Sequence, residues 1–184
     1  MDAFVDLQGF RGADKKFIPK EVAVVSSDGD YCEVLLIKPP MPYSTLPKSV
    51  KNEVYYLENY FHGLKWSTGY INFEDFEDEL RKLLTPFNGI FVKGYEKQNT
   101  LNFLNKPVVN MEGLSCPTFK ELKKKMQAIK CLHHHIESPS CALEHALILC
   151  EWSKKNSRDE CGTNSTMFEE HPDHQECTST CMCF

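Results

Sequence analysis

The sequence contains no run of about 18 apolar residues, which excludes a membrane-spanning helix of ordinary length. Its first residues, MDAFVDLQGF, hold no basic stretch followed by an apolar run. No secretory leader is therefore read, and a cytoplasmic or nuclear location is expected. Internal repeats are absent. An excess of basic charge is missing too, since 21 Lys and Arg face 26 Asp and Glu, a formal net charge of -5. From Asn156 onward, Arg158 is the one Lys or Arg beside Asp159, Glu160, Glu169, Glu170, Asp173 and Glu176, while residues 1–155 balance to neutrality. That neutral part lacks the general field of a dedicated nucleic-acid binder, although the acidic balance of the whole chain comes from the tail and does not exclude such binding.

Cysteine, by contrast, is abundant, with nine in 184 residues. With no leader, and with a hydrophobic fraction of 41% that suffices for a core, metal ligation or free thiols are expected in place of a disulfide scaffold. The length suits one domain. The expected organisation is a globular unit over 1–155 and an acidic, disordered tail over 156–184 carrying Cys177, Cys181 and Cys183.

Ala3 to Leu7 reads as a strand ending at Gly9. Phe17 to Val25 and Tyr31 to Ile37 are apolar runs flanking the turn signal Ser26-Ser27-Asp28-Gly29-Asp30. A helix capped by Ser49 follows, with Val50, Val54, Leu57 and Phe61 inward and Gly63 at its end. A second begins at Asn72 with Phe73, Phe76, Leu80 and Leu83 as its stripe. Gly89 to Val92 is a strand, Asn99 to Leu104 a brief helix, and Pro107 to Met111 another strand. Ser115 and Pro117 open a helix with Phe119, Leu122, Met126 and Ile129 inward. Ser138-Pro139 begins the last helix, from Cys141 to about Trp152. Three antiparallel strands followed by strand–helix alternation predict an α/β fold with a mixed sheet flanked by helices.

Between Cys131 and Cys141, two cysteines and His133, His134 and His135 lie within eleven residues. A Cys-x-x-His pair lets one loop place two ligands on one zinc ion, and Cys141 in the first helical turn gains thiolate character from the helix end. Spacing alone leaves the fourth ligand open between His145, one turn from Cys141, and a residue from the sheet.

The element order, with Asp6 in the first strand, resembles the ribonuclease-H-like fold of DnaQ-like exonucleases. That family holds two divalent ions with four carboxylates to activate water and stabilise the leaving oxygen. Here Gln8 stands where the second acid belongs, Glu96, Gln98 and Asn99 follow the strand at Ile90, and the last helix carries His145 with no Asp. Catalysis, if present, would rest on Asp6, Glu96 and His145. The alternative for Asp6 is an acid paired with a lysine, and for His145 a packed helix histidine. The chain also resembles the Maelstrom domain of a germline transposon-silencing protein, an exonuclease fold that lost its acids and gained a Glu-Cys-His-Cys zinc site. On Cys131, His134 and Cys141-Ala142, this resemblance implies Glu21 as the fourth ligand of a structural zinc.

The resemblance implies RNA or a protein partner of a silencing complex, and the lack of a long apolar run leads to the expectation of no membrane association. Candidate nucleic-acid contacts are Lys65 and Trp66 in a Gly-rich turn, Lys93 and Lys97 past a sheet strand, and Lys123 and Lys124 on a basic helix face. Alternatives are a solvated lysine face and a Trp66 packed on the core. An active non-standard exonuclease or endoribonuclease and a pure protein-interaction module are the rival functions.

Overall fold

The computed structural model describes residues 1–125, 131–137 and 140–159. Strands β1 (Ala3–Arg11), β2 (Phe17–Ser26) and β3 (Cys32–Leu36) form an antiparallel set, and β4 (Ile90–Val92) and β5 (Val108–Asn110) extend it in parallel, giving the order β3-β2-β1-β4-β5. Helices α1 (Lys48–Tyr56), α2 (Phe76–Leu84), α3 (Tyr95–Thr100), α4 (Phe119–Lys123) and α5 (Ala142–Asp159) flank this open sheet. The mixed, ribonuclease-H-like arrangement read from the sequence is the one observed.

Strand alternation sorts the side chains onto two faces. Ala3, Val5, Leu7, Val22 and Val24 pack with Phe76, Leu80 and Leu84 of α2. On the opposite face, Phe4, Ala23 and Val25 meet Ala142, Leu143, Ala146 and Leu149 of α5. That second face also carries Asp6, Gln8 and Glu21, three polar side chains buried in the middle of the sheet. Gln8 and Glu21 are directly paired across β1 and β2, as are Asp6 and Ala23.

Several element boundaries differ from those expected. α1 starts at Lys48 after Pro47, so Ser49 lies inside it. Its end widens into a π-type turn over Leu57–Phe61, with the His62 amide bonded to the Leu57 carbonyl at 3.0 Å, which leaves Phe61 exposed. α3 begins at Tyr95, four residues before Asn99. α4 opens at Thr118, whose hydroxyl and amide are bonded reciprocally with Glu121 in a capping box, while Ser115 takes a left-handed φ of 60° just before it. α5 continues to Asp159, beyond Trp152 and beyond the boundary expected at 155. Met126, Ile129, Ser138, Pro139 and the tail cysteines lie outside the described residues. No helix among the described residues is long and apolar enough to cross a membrane.

β1 shifts register between Gln8 and Gly9, and a Cβ on Gly9 would lie 2.1 Å from the Ile18 carbonyl oxygen. Gly9→Ala should therefore cost about 1–3 kcal/mol in urea unfolding. Gly113→Ala, with nothing within 4 Å of the added carbon, should stay within about 0.5 kcal/mol of the parent protein.

Candidate metal centre

β2 presents Glu21 toward the start of α5, and the loop 131–137 folds over the same spot. The carboxylate of Glu21, Cys131 Sγ, a His134 ring nitrogen and Cys141 Sγ all lie within 4.8 Å of one another. Four such donors around one tetrahedral ion at 2.0–2.3 Å would sit about 3.3–3.8 Å apart. Glu21 Oε1 is 3.0 Å from His134 Nε2 and 3.6 Å from Cys131 Sγ, so the quartet closes to that size with little movement. The donor set fits a metal ion. His145 is no part of it.

Glu21 and His134 are oriented from behind. Glu21 Oε2 accepts the Ala142 amide at 2.9 Å, a donor that the first turn of α5 leaves without a helical partner. Oε1 is thereby turned to the quartet. His134 Nδ1 donates to the carbonyl of His62, so Nε2 is the nitrogen that faces the other donors and, once its proton has left, offers them a lone pair. His135 is held in the same way by the Gly63 carbonyl, which also accepts the His135 amide at 3.2 Å. Gly63 has a φ of 69°, and a Cβ there would lie 2.6 Å from Ile136 Cγ1, so only glycine permits this approach of the two segments. His62 itself is buried, with Nδ1 accepting the Leu64 amide at 3.1 Å. Burial holds it near 4, in its neutral form.

Protons occupy Cys141 and His134 until an ion displaces them. Hydrogen bonding from Cys141 pulls the Cys131 thiol well below its ordinary range. The same bond, with burial and the nearby Glu21 charge, pushes Cys141 up. Burial opposes charge on His134, but Cys131 and Glu21 outweigh it and raise the imidazole to about 10. Ion binding must release the protons of Cys141 and His134, so affinity rises with pH. His133, with Nδ1 at 3.5 Å from Cys131 Sγ, lies beside the quartet without entering it.

A second cluster adjoins the first. Asp6 is fully buried, and its carboxylate is paired with Lys97 Nζ on one oxygen. The other oxygen meets His145 Nδ1 at 3.1 Å and accepts from Gln8 Nε2 at 3.1 Å. Gln8 Oε1 accepts from Ser140 Oγ at 2.9 Å, one residue before Cys141, so the two clusters touch through one amide. Phe119 stacks on the His145 ring at 3.8 Å, with the planes 8° apart, and lies 5.7 Å from Lys97 Nζ. Burial opposes ionisation of Asp6, yet Lys97 and His145 lower its pKa below the usual aspartate value.

Asp6 and His145 are therefore brought together, but Glu96 is not with them. It pairs at the surface with Arg11 at 2.8 Å, and the residue turned inward from α3 is Lys97. The expected nucleic-acid contacts are largely used elsewhere. Trp66 is core, 2% exposed, edge-on to Phe10 at 5.1 Å and donating from Nε1 to the Met41 carbonyl at 3.1 Å, so it cannot stack a base. Lys93 is buried and donates to the Cys116 carbonyl at 2.8 Å. Lys97 holds Asp6, and Lys123 pairs with Glu144. Lys65 and Lys124 are exposed. Sequence reasoning missed the inward role of Lys97 and the tie made by buried Lys20, whose ammonium bonds the carbonyls of Ile37 and Trp66 at 2.8 Å each and that of Thr68. Burial lowers Lys20 to about 8.

Comparison with known family models and with curated proteins gives no match.

Two outcomes are expected from these clusters. Elemental analysis of purified protein should give about one equivalent of a divalent ion, and Cys131→Ser or Glu21→Ala should drop it below about half, while His145→Ala leaves it unchanged. Lys97→Met strands the Asp6 charge and should cost about 2–3 kcal/mol, less than the 3–5 kcal/mol typical of a fully buried pair because the lysine side chain is 19% exposed. Asp6→Asn combined with Lys97→Met should recover part of that loss in a double-mutant cycle. The Asp6 contribution is complete above the ordinary aspartate value and is lost as pH falls through its depressed one.

Proposed function

We propose that the chain is a catalytically degenerate, exonuclease-like domain, clasped by a structural zinc, that binds RNA in nucleic-acid silencing. The observation that carries this reading is the pairing of Asp6 with Lys97. Where a two-ion nuclease needs several carboxylates, this cluster offers one, and Lys97 already neutralises it. Gln8 supplies an amide in place of a second acid, and Phe119 covers His145. Among the described residues, this cluster offers no second carboxylate with which to hold paired hard cations.

Zinc is favoured by the donor chemistry. Two thiols, an imidazole and a carboxylate form a soft, mixed set that suits zinc and not magnesium or calcium. Four protein ligands leave no open position for a bound water, which is the pattern of a structural ion. The resemblance to the Maelstrom domain rests on the same four residues, Glu21, Cys131, His134 and Cys141, and supplies the link to RNA silencing. The same reading places the chain in the cytoplasm or nucleus, with a protein partner of a silencing complex as its other contact.

The test is RNA cleavage by zinc-loaded protein with magnesium or manganese added. Expected is retention of single-stranded RNA at low salt with no cleavage above the buffer control. Cleavage abolished by Asp6→Asn would instead establish an active nuclease built on Asp6 and His145. Failure to retain RNA would leave the protein-interaction module.

A further inference from the structure

The surface that carries exposed aromatic rings lies beside the metal loop and was not among the contacts expected from sequence. Tyr55, Tyr56 and Tyr60 are 58%, 55% and 62% exposed. Their rings form one cluster, with Tyr55 and Tyr60 centroids 6.2 Å apart and Tyr56 and Tyr60 centroids 5.9 Å apart at an interplanar angle of 30°. In an ordinary α-helix, residues five apart point in different directions. Here the π-type turn over Leu57–Phe61 inserts an extra residue and brings Tyr60 back beside Tyr55 as well as Tyr56.

That wide turn is gripped from behind by the metal loop. The carbonyls of His62 and Gly63, the two residues after it, receive His134 and His135. In the stretch 48–66, Lys48, Lys51 and Lys65 outnumber Glu53 and Glu58. Glu58 accepts from the amide of Trp66, while Lys48 and Lys65 are exposed. Every exposed large apolar residue in that stretch is aromatic: Tyr55, Tyr56, Tyr60 and Phe61. Exposed rings with polar rims, in a stretch where exposed lysines stand near in sequence and no exposed aliphatic side chain accompanies them, suit the faces of bases and their phosphates.

We propose that Tyr55, Tyr56 and Tyr60 form a stacking platform for single-stranded RNA, with Lys48 and Lys65 contacting its phosphates. The proposal rests on the RNA-binding reading above and gives it a location. Each ring offers a π-face to a base of any identity, so binding is tolerant of sequence.

The experiment is fluorescence anisotropy of a labelled oligouridylate of about 15 nucleotides, titrated with metal-loaded protein at low salt. Tyr56→Ala and Tyr60→Ala should each weaken binding by at least about fivefold, while Tyr56→Phe and Tyr60→Phe retain it, because the ring and not the hydroxyl supplies the stacking. Lys65→Ala should reduce the slope of log affinity against log salt by about 0.7. Metal content and melting temperature matching the parent protein certify each variant as folded. If a folded Tyr56→Ala/Tyr60→Ala protein binds as tightly as the parent, the platform is wrong and RNA is held elsewhere on the domain. If the parent itself does not retain the oligonucleotide, both the platform and the RNA reading fall, and the aromatic face is left to a protein.

Discussion

The carboxylate of Glu21 is the joint between the sheet and the long helix packed on it. It is fully buried on β2, an environment in which an unmatched charge costs several kcal/mol. One oxygen is satisfied by the Ala142 amide at the start of α5, where the helix end also favours negative charge. The other faces His134, Cys131 and Cys141. A divalent ion there would meet two thiolates and a carboxylate, leaving about one negative charge for the helix end and the surrounding N–H groups to offset. The direction of α5, and hence the packing of Ala142, Ala146 and Leu149 on Phe4, Ala23 and Val25, is fixed at this point.

The Asp6 cluster is built by the same logic with an ammonium as its cation. A buried carboxylate needs a positive partner, and Lys97 brings one on a tether from α3. Gln8 makes the exchange workable. Its amide has both a donor, which Asp6 takes, and an acceptor, which Ser140 fills. A glutamate in that place would set a second negative charge against Asp6 and demand an ion between them. The amide demands none, and it ties β1 to the residue preceding Cys141. One face of the sheet thus holds two buried carboxylates, Asp6 paired with an ammonium and Glu21 set among three possible metal donors, joined through a single side chain.

What the sequence made legible follows from distance along the chain. Cys131, His134 and Cys141 lie close enough for spacing to group them, and the apolar runs of β1 and β2 are long enough to name the strands. Glu21 stands more than a hundred residues from its partners, so spacing left His145 as an equal candidate, and resemblance to a family chose between them. The errors around Lys97 have a local cause. With α3 beginning at Asn99, Glu96 and Lys97 would sit in a loop with no defined direction. With α3 beginning at Tyr95, the helical frame sends Lys97 inward to Asp6 and Glu96 outward to Arg11. Trp66 was ambiguous for a similar reason, since a tryptophan after a glycine-ended helix suits a binding loop and a core plug equally. The buried Lys20, holding the Trp66 and Thr68 carbonyls against β2, decides for the core.

The π-type turn at Leu57–Phe61 shows how the centre reaches the surface. Such a turn has poorer hydrogen-bond geometry than the α-helix and persists where other contacts fix it. The contacts here are the histidines themselves. His134 can offer Nε2 to an ion only if Nδ1 keeps its proton, and the carbonyl of His62 is what holds that proton. The bond that sets the tautomer of a ligand is therefore also the bond that anchors the end of the widened turn. Any ligand strengthening the quartet binds better to the state in which that turn is in place, and by linkage it stabilises that state. The geometry of Tyr55, Tyr56 and Tyr60 is in this way coupled to Glu21, through two histidines and a glycine that no side chain larger than hydrogen could replace.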